Sequence, residues 1–317
     1  MKTDNARILV IGAGVNGSIC AVNLFHAGAA VTILARGKRY DEIRDSGIVI
    51  EDPFKNTRTV TKVPVINCLA ADDGYDYILV VVRKNQVADL LPVLAGNKSP
   101  NVVFMVNNPS GPGEFTAALG KERVMLGFVF GAGKRDGSVI RAISGVGGSR
   151  NATPFGEIDG RMTPRLARLI GILCQAGLSA RASANISDHL ATHAALVAPL
   201  AQLLMKHGCD TYALARSAGD LRLIVDALRE TLQVLEADGI KIDPPSTKLV
   251  RIIPRFVLVA AMRILFSTKF AEVGAGYHCS QAPDEMHQLG IELMALVDRS
   301  GLPAPTITFL YSKTCGF

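Results

Sequence analysis

Residues 8–28, ILVIGAGVNGSICAVNLFHAG, constrain this chain more than any other stretch. A run of β-branched and aliphatic residues breaks at Gly12, Gly14 and Gly17, then resumes with helical periodicity. The pattern reads as strand, tight turn and helix, with the glycines in GxGxxG spacing. In such a turn Gly12 permits the bend, Gly14 lets backbone approach a pyrophosphate, and Gly17 lets helix pack on strand. The new helix starts with amide groups that have no partner within it, here around Val15 and Asn16, and such amides bind phosphate. A Rossmann-type dinucleotide site is the expectation.

The chain beyond this stretch fits. YDYILVVV (75–82), NVVFMV (101–106) and RVMLGFVF (123–130) read as strands, and NQVADLLPVLAG (85–96) reads as a helix between them. Strands alternating with helical patterns imply a parallel sheet with crossover helices. SVIRAISG (138–145) and NATPFGEIDG (151–160) are expected to close that sheet. From Ser187 to Ser300 strand patterns vanish and long helical ones dominate. The expected architecture is an α/β Rossmann-type N-terminal domain over residues 1–184 and an all-α C-terminal domain over 185–317.

Composition narrows the class of partner. The chain has 317 residues, 49% hydrophobic, with no Trp and a formal net charge of +6. A folded protein with few aromatics and scattered basic residues suits a small anionic ligand, and no nucleic acid is expected as a partner. Cys20, Cys68, Cys174, Cys209, Cys279 and Cys315 form no CxxC pair, so reduced thiols in a cytoplasmic protein are expected, with no signal peptide before the first strand. RIIPRFVLVAAMRILF (251–266) is the most apolar segment, but Arg251, Arg255 and Arg263 interrupt it. It is too short to cross a bilayer and reads as a buried or subunit-facing helix, so the helical domain is expected to support a homodimer and no membrane partner is expected.

The second strand, AAVTILA (29–35), ends at Arg36-Gly37-Lys38-Arg39. NAD enzymes usually place Asp or Glu there to accept from the ribose hydroxyls, whereas arginine suits a 2′-phosphate. NADP(H) is therefore the expected cofactor.

In SDHLATHAALVAPL (187–200), Ser187 reads as an N-cap, and His189 and His193, four apart, share a helix face. Three readings stand open: metal ligand, proton donor or packed polar residue. The HxxxH spacing lacks the glutamate of a zinc protease motif, and no metal is expected. A histidine with a pKa near neutrality is suited to donate a proton.

With these residues placed, the chain resembles the ketopantoate reductase family. The likeness rests on GAGVNG, LARGKR, VVVRKNQ (80–86), VNNPSGPGE (106–114), GAGKRDGSVI (131–140), PFGEIDG (154–160), and APDEMHQLGIELMALVDRSGLPAPT (282–306). It implies an N-terminal dinucleotide domain, a helical C-terminal domain, an active site between them, and reduction of a 2-oxo acid by NADPH. By this resemblance Asn108 lies near nicotinamide and substrate, Arg83 stands at the family's cofactor lysine, with Lys84 as its alternative, and Glu285 reaches the cofactor. Ala132 falls in the matching GAGKRDG stretch and is assigned to the cofactor site. Pro109 replaces the family's usual glycine. The family's proton-donating lysine falls on Leu190 or Ala191, and its two substrate asparagines fall on Ala194 and Ala198. His193, one turn away, is then the expected catalytic proton donor alongside Asn108. The expected activity is NADPH-dependent reduction of a small anionic carbonyl compound; the alternative is a non-catalytic NADP-binding protein. The two alanines also suggest room for a bulkier substrate.

Overall fold

A computed structural model of the chain describes residues 5–144 and 152–312; Cys315 and the ends of two expected strand segments, Gly145 and Asn151, lie outside them. Its strands are β1 (Arg7–Ile11), β2 (Ala30–Leu34), β3 (Ile48–Asp52), β4 (Thr57–Thr61), β5 (Val65–Ile66), β6 (Tyr77–Val80), β7 (Val102–Phe104), β8 (Val124–Gly127), β9 (Gly131–Asp136), β10 (Val139–Ser144), β11 (Thr153–Glu157) and β12 (Ala180–Ala182). Helices α1 (Val15–His26), α2 (Lys38–Ser46), α3 (Val87–Gly96), α4 (Gly113–Leu119) and α5 (Pro164–Gln175) belong with them. Then come α6 (Ile186–Lys206), α7 (Thr211–Arg216), α8 (Ala218–Ala237), α9 (Leu249–Ile252), α10 (Arg255–Phe266), α11 (Lys269–Ala271), α12 (Tyr277–Gln281), α13 (Pro283–Ser300) and α14 (Pro305–Ser312). None of these described helices is long and apolar enough to cross a membrane.

The chain divides into two compact units, Met1–Val106 with Pro112–Ile186, and Asn107–Gly111 with Ser187–Phe317. In the first, an eight-stranded sheet runs β12-β11-β8-β7-β6-β1-β2-β5. β1 pairs in parallel with β2 and β6, so Ile11 has Leu34 on one side and Val80 on the other. The order reverses at β1, which puts a topological switch point at the carboxyl ends of β1 and β6. These strands are buried almost throughout, as RILVI and YILV dictate for a parallel sheet covered on both faces. Ile8, Val10, Ile33, Leu79, Val103 and Met125 lie in that core.

β11 does join this sheet, antiparallel to β8. β10 does not close it: SVIRAIS pairs with β9 and β3 in a separate four-stranded sheet, β4-β3-β10-β9. Its alternating pattern marks a strand but cannot say which sheet receives it.

The second unit is helical among its described residues. α6 begins at Ile186, so Ser187 sits inside the first turn and not at the cap. Asp210 caps α7, accepting from the Tyr212 and Ala213 amides, and Ser217 caps α8. α13 opens with Pro283, Asp284 and Glu285 and stops at Gly301, whose φ of 64° is left-handed. Proline first and glycine last is the pattern that helix-end geometry favours.

Candidate active site

The glycine turn follows β1 directly. Gly12 has φ +106°, and a Cβ there would collide with the Val81 carbonyl oxygen; a Cβ on Gly17 would collide with the Gly12 carbonyl oxygen. Gly14 differs, because a Cβ would meet nothing within 4 Å. Gly14 is also the N-cap of α1, which has no side-chain cap and no acidic residue in its first turn. The amide end of a helix thus faces open space with neither a carboxylate nor a hydroxyl competing for it, which suits a phosphate.

Asn16 turns its side chain inward. Its Oδ1 accepts from the Gly131 amide at 3.0 Å and ties the start of α1 to β9, beside Ala132. Arg36 and Lys38 are exposed beyond β2, while Arg39 is buried. Lys84 is buried too, paired with Glu114 and 5.1 Å from the centre of the Phe115 ring. Arg83 is half-buried before the short 3-10 turn Lys84–Gln86.

The second unit assembles its own polar cluster. Residues 107–111 are held against α13 by two carboxylates seven residues apart, which share a helix face. Asn107 Nδ2 donates to Glu285 Oε1 at 3.1 Å, and Ser110 Oγ donates to Glu292 Oε2 at 2.5 Å. Gln288 Nε2 donates to the other Glu292 oxygen at 3.0 Å. Between these two tethers stands Asn108, 1% exposed, whose Oδ1 has no hydrogen-bond partner among the described residues. A buried carbonyl oxygen without a partner is costly, so a donor from a ligand is the natural complement.

His189 and His193 share the α6 face as expected, but differ in their surroundings. His189 Nδ1 lies 3.0 Å from Asp243 Oδ2, and the Asp243 amide donates to Thr192 Oγ1 at 3.3 Å. His193 is half-buried. Desolvation pushes its pKa down to about 4, and His189 and His278 oppose its protonation as well. The near-neutral pKa expected for it is therefore corrected: His193 is a neutral imidazole at physiological pH. His278, carried after the π-helical stretch Glu272–Gly276, has Nε2 3.7 Å from Glu285 Oε2. Among the described residues, no group of three or more His, Cys, Asp or Glu is placed to hold a metal ion.

The positions of the absent lysine and asparagines are apolar core. Leu190, Ala191, Ala194 and Ala198 are at most 4% exposed, and the last two pack within the unit's hydrophobic cluster. The room expected beside Ala194 and Ala198 is filled. Asn107, Ser110, Glu292 and Asp243 complete the cluster without having been singled out in the sequence, together with His278, which the sequence offered only as a candidate metal ligand or neighbour of a cysteine nucleophile. For Glu292 the seven-residue spacing from Glu285 was a usable signal; the others are brought together only by tertiary folding.

The family model for ketopantoate reductase PanE/ApbA matches residues 8–156. Among solved structures, a PanE/ApbA family ketopantoate reductase from Ralstonia eutropha JMP134 is 19% identical, with a TM-score of 0.77 over 97% of this chain and 96% of that one. D-mandelate dehydrogenase with NADH and anilino(oxo)acetate is 15% identical, with a TM-score of 0.76 over 96% of each chain. 2-Dehydropantoate 2-reductase from Methylococcus capsulatus is 19% identical, with a TM-score of 0.73 over 97% and 95%. No curated protein sequence matches. At these identities the structural likenesses show the fold alone, and the N-terminal residues 8–156 are similar to the ketopantoate reductase PanE/ApbA family by their match to its model.

Proposed function

We propose that this protein is an NADPH-dependent reductase of a 2-oxo acid or a related small anionic carbonyl compound. The observation that carries the reading is the glycine turn: closed to side chains at Gly12 and Gly17, open at Gly14, on a helix end that nothing caps. Gly12, Gly14, Val15, Asn16 and Gly17 would hold the pyrophosphate through backbone, with Ala132 on the strand that Asn16 anchors. Arg36 would meet the 2′-phosphate, and Arg83 would stand beside the cofactor. When bound, NADPH supplies hydride to the carbonyl carbon.

The chain's own contribution to the chemistry comes from its second unit. Asn108, held by its neighbours' tethers to Glu285 and Glu292, orients the reacting groups. His193, neutral, donates an N–H hydrogen bond to the carbonyl oxygen as negative charge develops there, and the proton it gives up is replaced from solvent. This is a different device from a charged lysine, and it makes the protein a poor reductase of ketopantoate itself. The family resemblance and the D-mandelate dehydrogenase fold both support a 2-oxo acid or 2-hydroxy acid as substrate class, although the latter structure holds NADH. A homodimer joined through the helical unit is part of the same proposal.

The test is a binding titration with NADPH and NADH, followed by turnover across a panel of 2-oxo acids. Tighter binding of NADPH and oxidation of it by at least one panel member are expected. Equal binding of both cofactors would sink the NADPH assignment.

A further inference from the structure

Arg39 is an odd residue to bury. It is 7% exposed, at the second position of α2, where the helix dipole disfavours a cation. Its Nε donates to the Ala13 carbonyl at 3.1 Å, inside the glycine turn. Its Nη1 donates to the Ser138 carbonyl, in the β9–β10 turn, and to Glu42 Oε2, both at 3.1 Å. Its Nη2 is buried and has no partner among the described residues. A buried charge is tolerated when its donors are matched, and here one nitrogen is not.

The surroundings sharpen the mismatch. Burial lowers the Arg39 pKa, Glu42 acts the other way, and Arg135 on β9 adds to the lowering. Glu42 pairs with Arg39, while Arg135 adds a second positive charge nearby and Arg36 and Lys38 are exposed on the same turn-and-helix segment. What would satisfy Nη2 and offset the excess positive charge is an anion beside the glycine turn.

We propose that Arg39 is an inner phosphate-binding arginine, which grips the glycine turn with Nε and offers Nη2 to a phosphate oxygen of the bound dinucleotide. The inference rests on the dinucleotide reading above and assigns a role to a residue that the sequence pattern left behind Arg36. The phosphate is either the 2′-phosphate or the pyrophosphate, whose oxyanion chemistry is shared.

Dissociation constants for NADPH and NADH, measured on the unmutated protein, Arg39→Gln and Arg135→Glu, test it. Arg39→Gln is expected to weaken binding at least tenfold, the range of a hydrogen bond to a charged group. A loss confined to NADPH identifies the 2′-phosphate; equal losses identify the pyrophosphate. Arg135 is exposed, so Arg135→Glu keeps the fold and sets a carboxylate near Arg39 that competes with the ligand; it too should weaken binding about tenfold. Should Arg39→Gln not fold, Arg135→Glu decides, together with the Arg39 guanidinium nitrogen resonance, which is expected to shift when 2′-AMP or pyrophosphate is added to the unmutated protein. Affinities within twofold of the original in folded variants, or a resonance that neither probe moves, overturn the proposal. An unmutated protein that binds neither dinucleotide would instead overturn the functional reading beneath it.

Discussion

His193 is where the chemistry of a single residue departs most from its sequence context. In an unfolded chain its pKa is the ordinary 6.5; in the folded protein it is about 4. Between those values the unfolded state binds more protons, so His193 costs stability progressively as pH falls from 6.5 toward 4, and costs nothing above 6.5. His193→Gln should remove that share of the acid loss, at most about 3 kcal/mol at 1.36 kcal/mol per pKa unit. Urea melts of both proteins between these pH values measure it; identical pH profiles would show that the imidazole is not desolvated. The same neutrality predicts kinetics. His193→Ala should slow turnover roughly 10²–10⁴-fold with little change in NADPH affinity. In the unmutated enzyme kcat/KM should stay flat from about pH 8 to about pH 6, because His193 does not titrate there. A rate that climbs as pH drops through 6.5 would identify an imidazolium acid instead.

Most capped helices among the described residues use their own N-cap residues, as α7 does with Asp210, but one is capped from outside itself. Glu230 on α8 accepts from the Thr306 amide at 3.0 Å and the Ile307 amide at 2.9 Å, so it caps α14 from a distance. Glu230→Ala should lower stability by about 1–2 kcal/mol, the scale of a lost N-cap, without altering dinucleotide affinity. A denaturation midpoint that does not move would show that α14 holds by packing alone. α14 itself was not visible as a helix in the sequence, since its ordering draws on this remote carboxylate; α13, with Pro283 and Gly301 at its ends, was legible. α10 was expected to be buried or subunit-facing, and it keeps an apolar stripe exposed: Phe256, Val257, Ala260, Ala261, Ile264 and Leu265. Phe256 is 75% exposed and Ile264 71%. We propose this stripe, with small residues at its centre and large ones at both ends, as the contact face of the homodimer. Arg255, at the start of α10, is bonded at 2.9 Å to Asp226 of its own chain. Sedimentation should show a dimer that Ile264→Glu converts to monomer; an unmutated protein that stays monomeric at every concentration would contradict it.

For the whole molecule, the architecture was legible where local pattern and tertiary context agree. The central strands are buried on both faces and read as continuous apolar runs, and the glycine turn declares itself by spacing. The second sheet was not legible: β3, β4 and β9 are partly exposed and polar, and β10 could only be placed once its partners were known. Half of the candidate site followed the same division. Gly12, Gly14 and Gly17 were singled out by spacing and Asn108 by resemblance, whereas Arg39 and the tethers from Asn107 and Ser110 to α13 depend on contacts between residues 26 to 182 positions apart. Arg36→Ala, exposed and screened, should weaken NADPH about tenfold and leave NADH unchanged, at the low end of charged hydrogen bonds; equal losses would move the 2′-phosphate away from Arg36.

We propose that this chain moves hydride from NADPH to a 2-oxo acid with no lysine where the resemblance to ketopantoate reductases implies one. The most direct measurement is the loss of NADPH absorbance with a panel of 2-oxo acids, ketopantoate among them. The account predicts that at least one member is reduced within the ordinary enzyme range of roughly 1–10³ per second, and that ketopantoate falls below it. A protein that binds NADPH and reduces no member of the panel would contradict the claim and leave a dinucleotide-binding protein without chemistry.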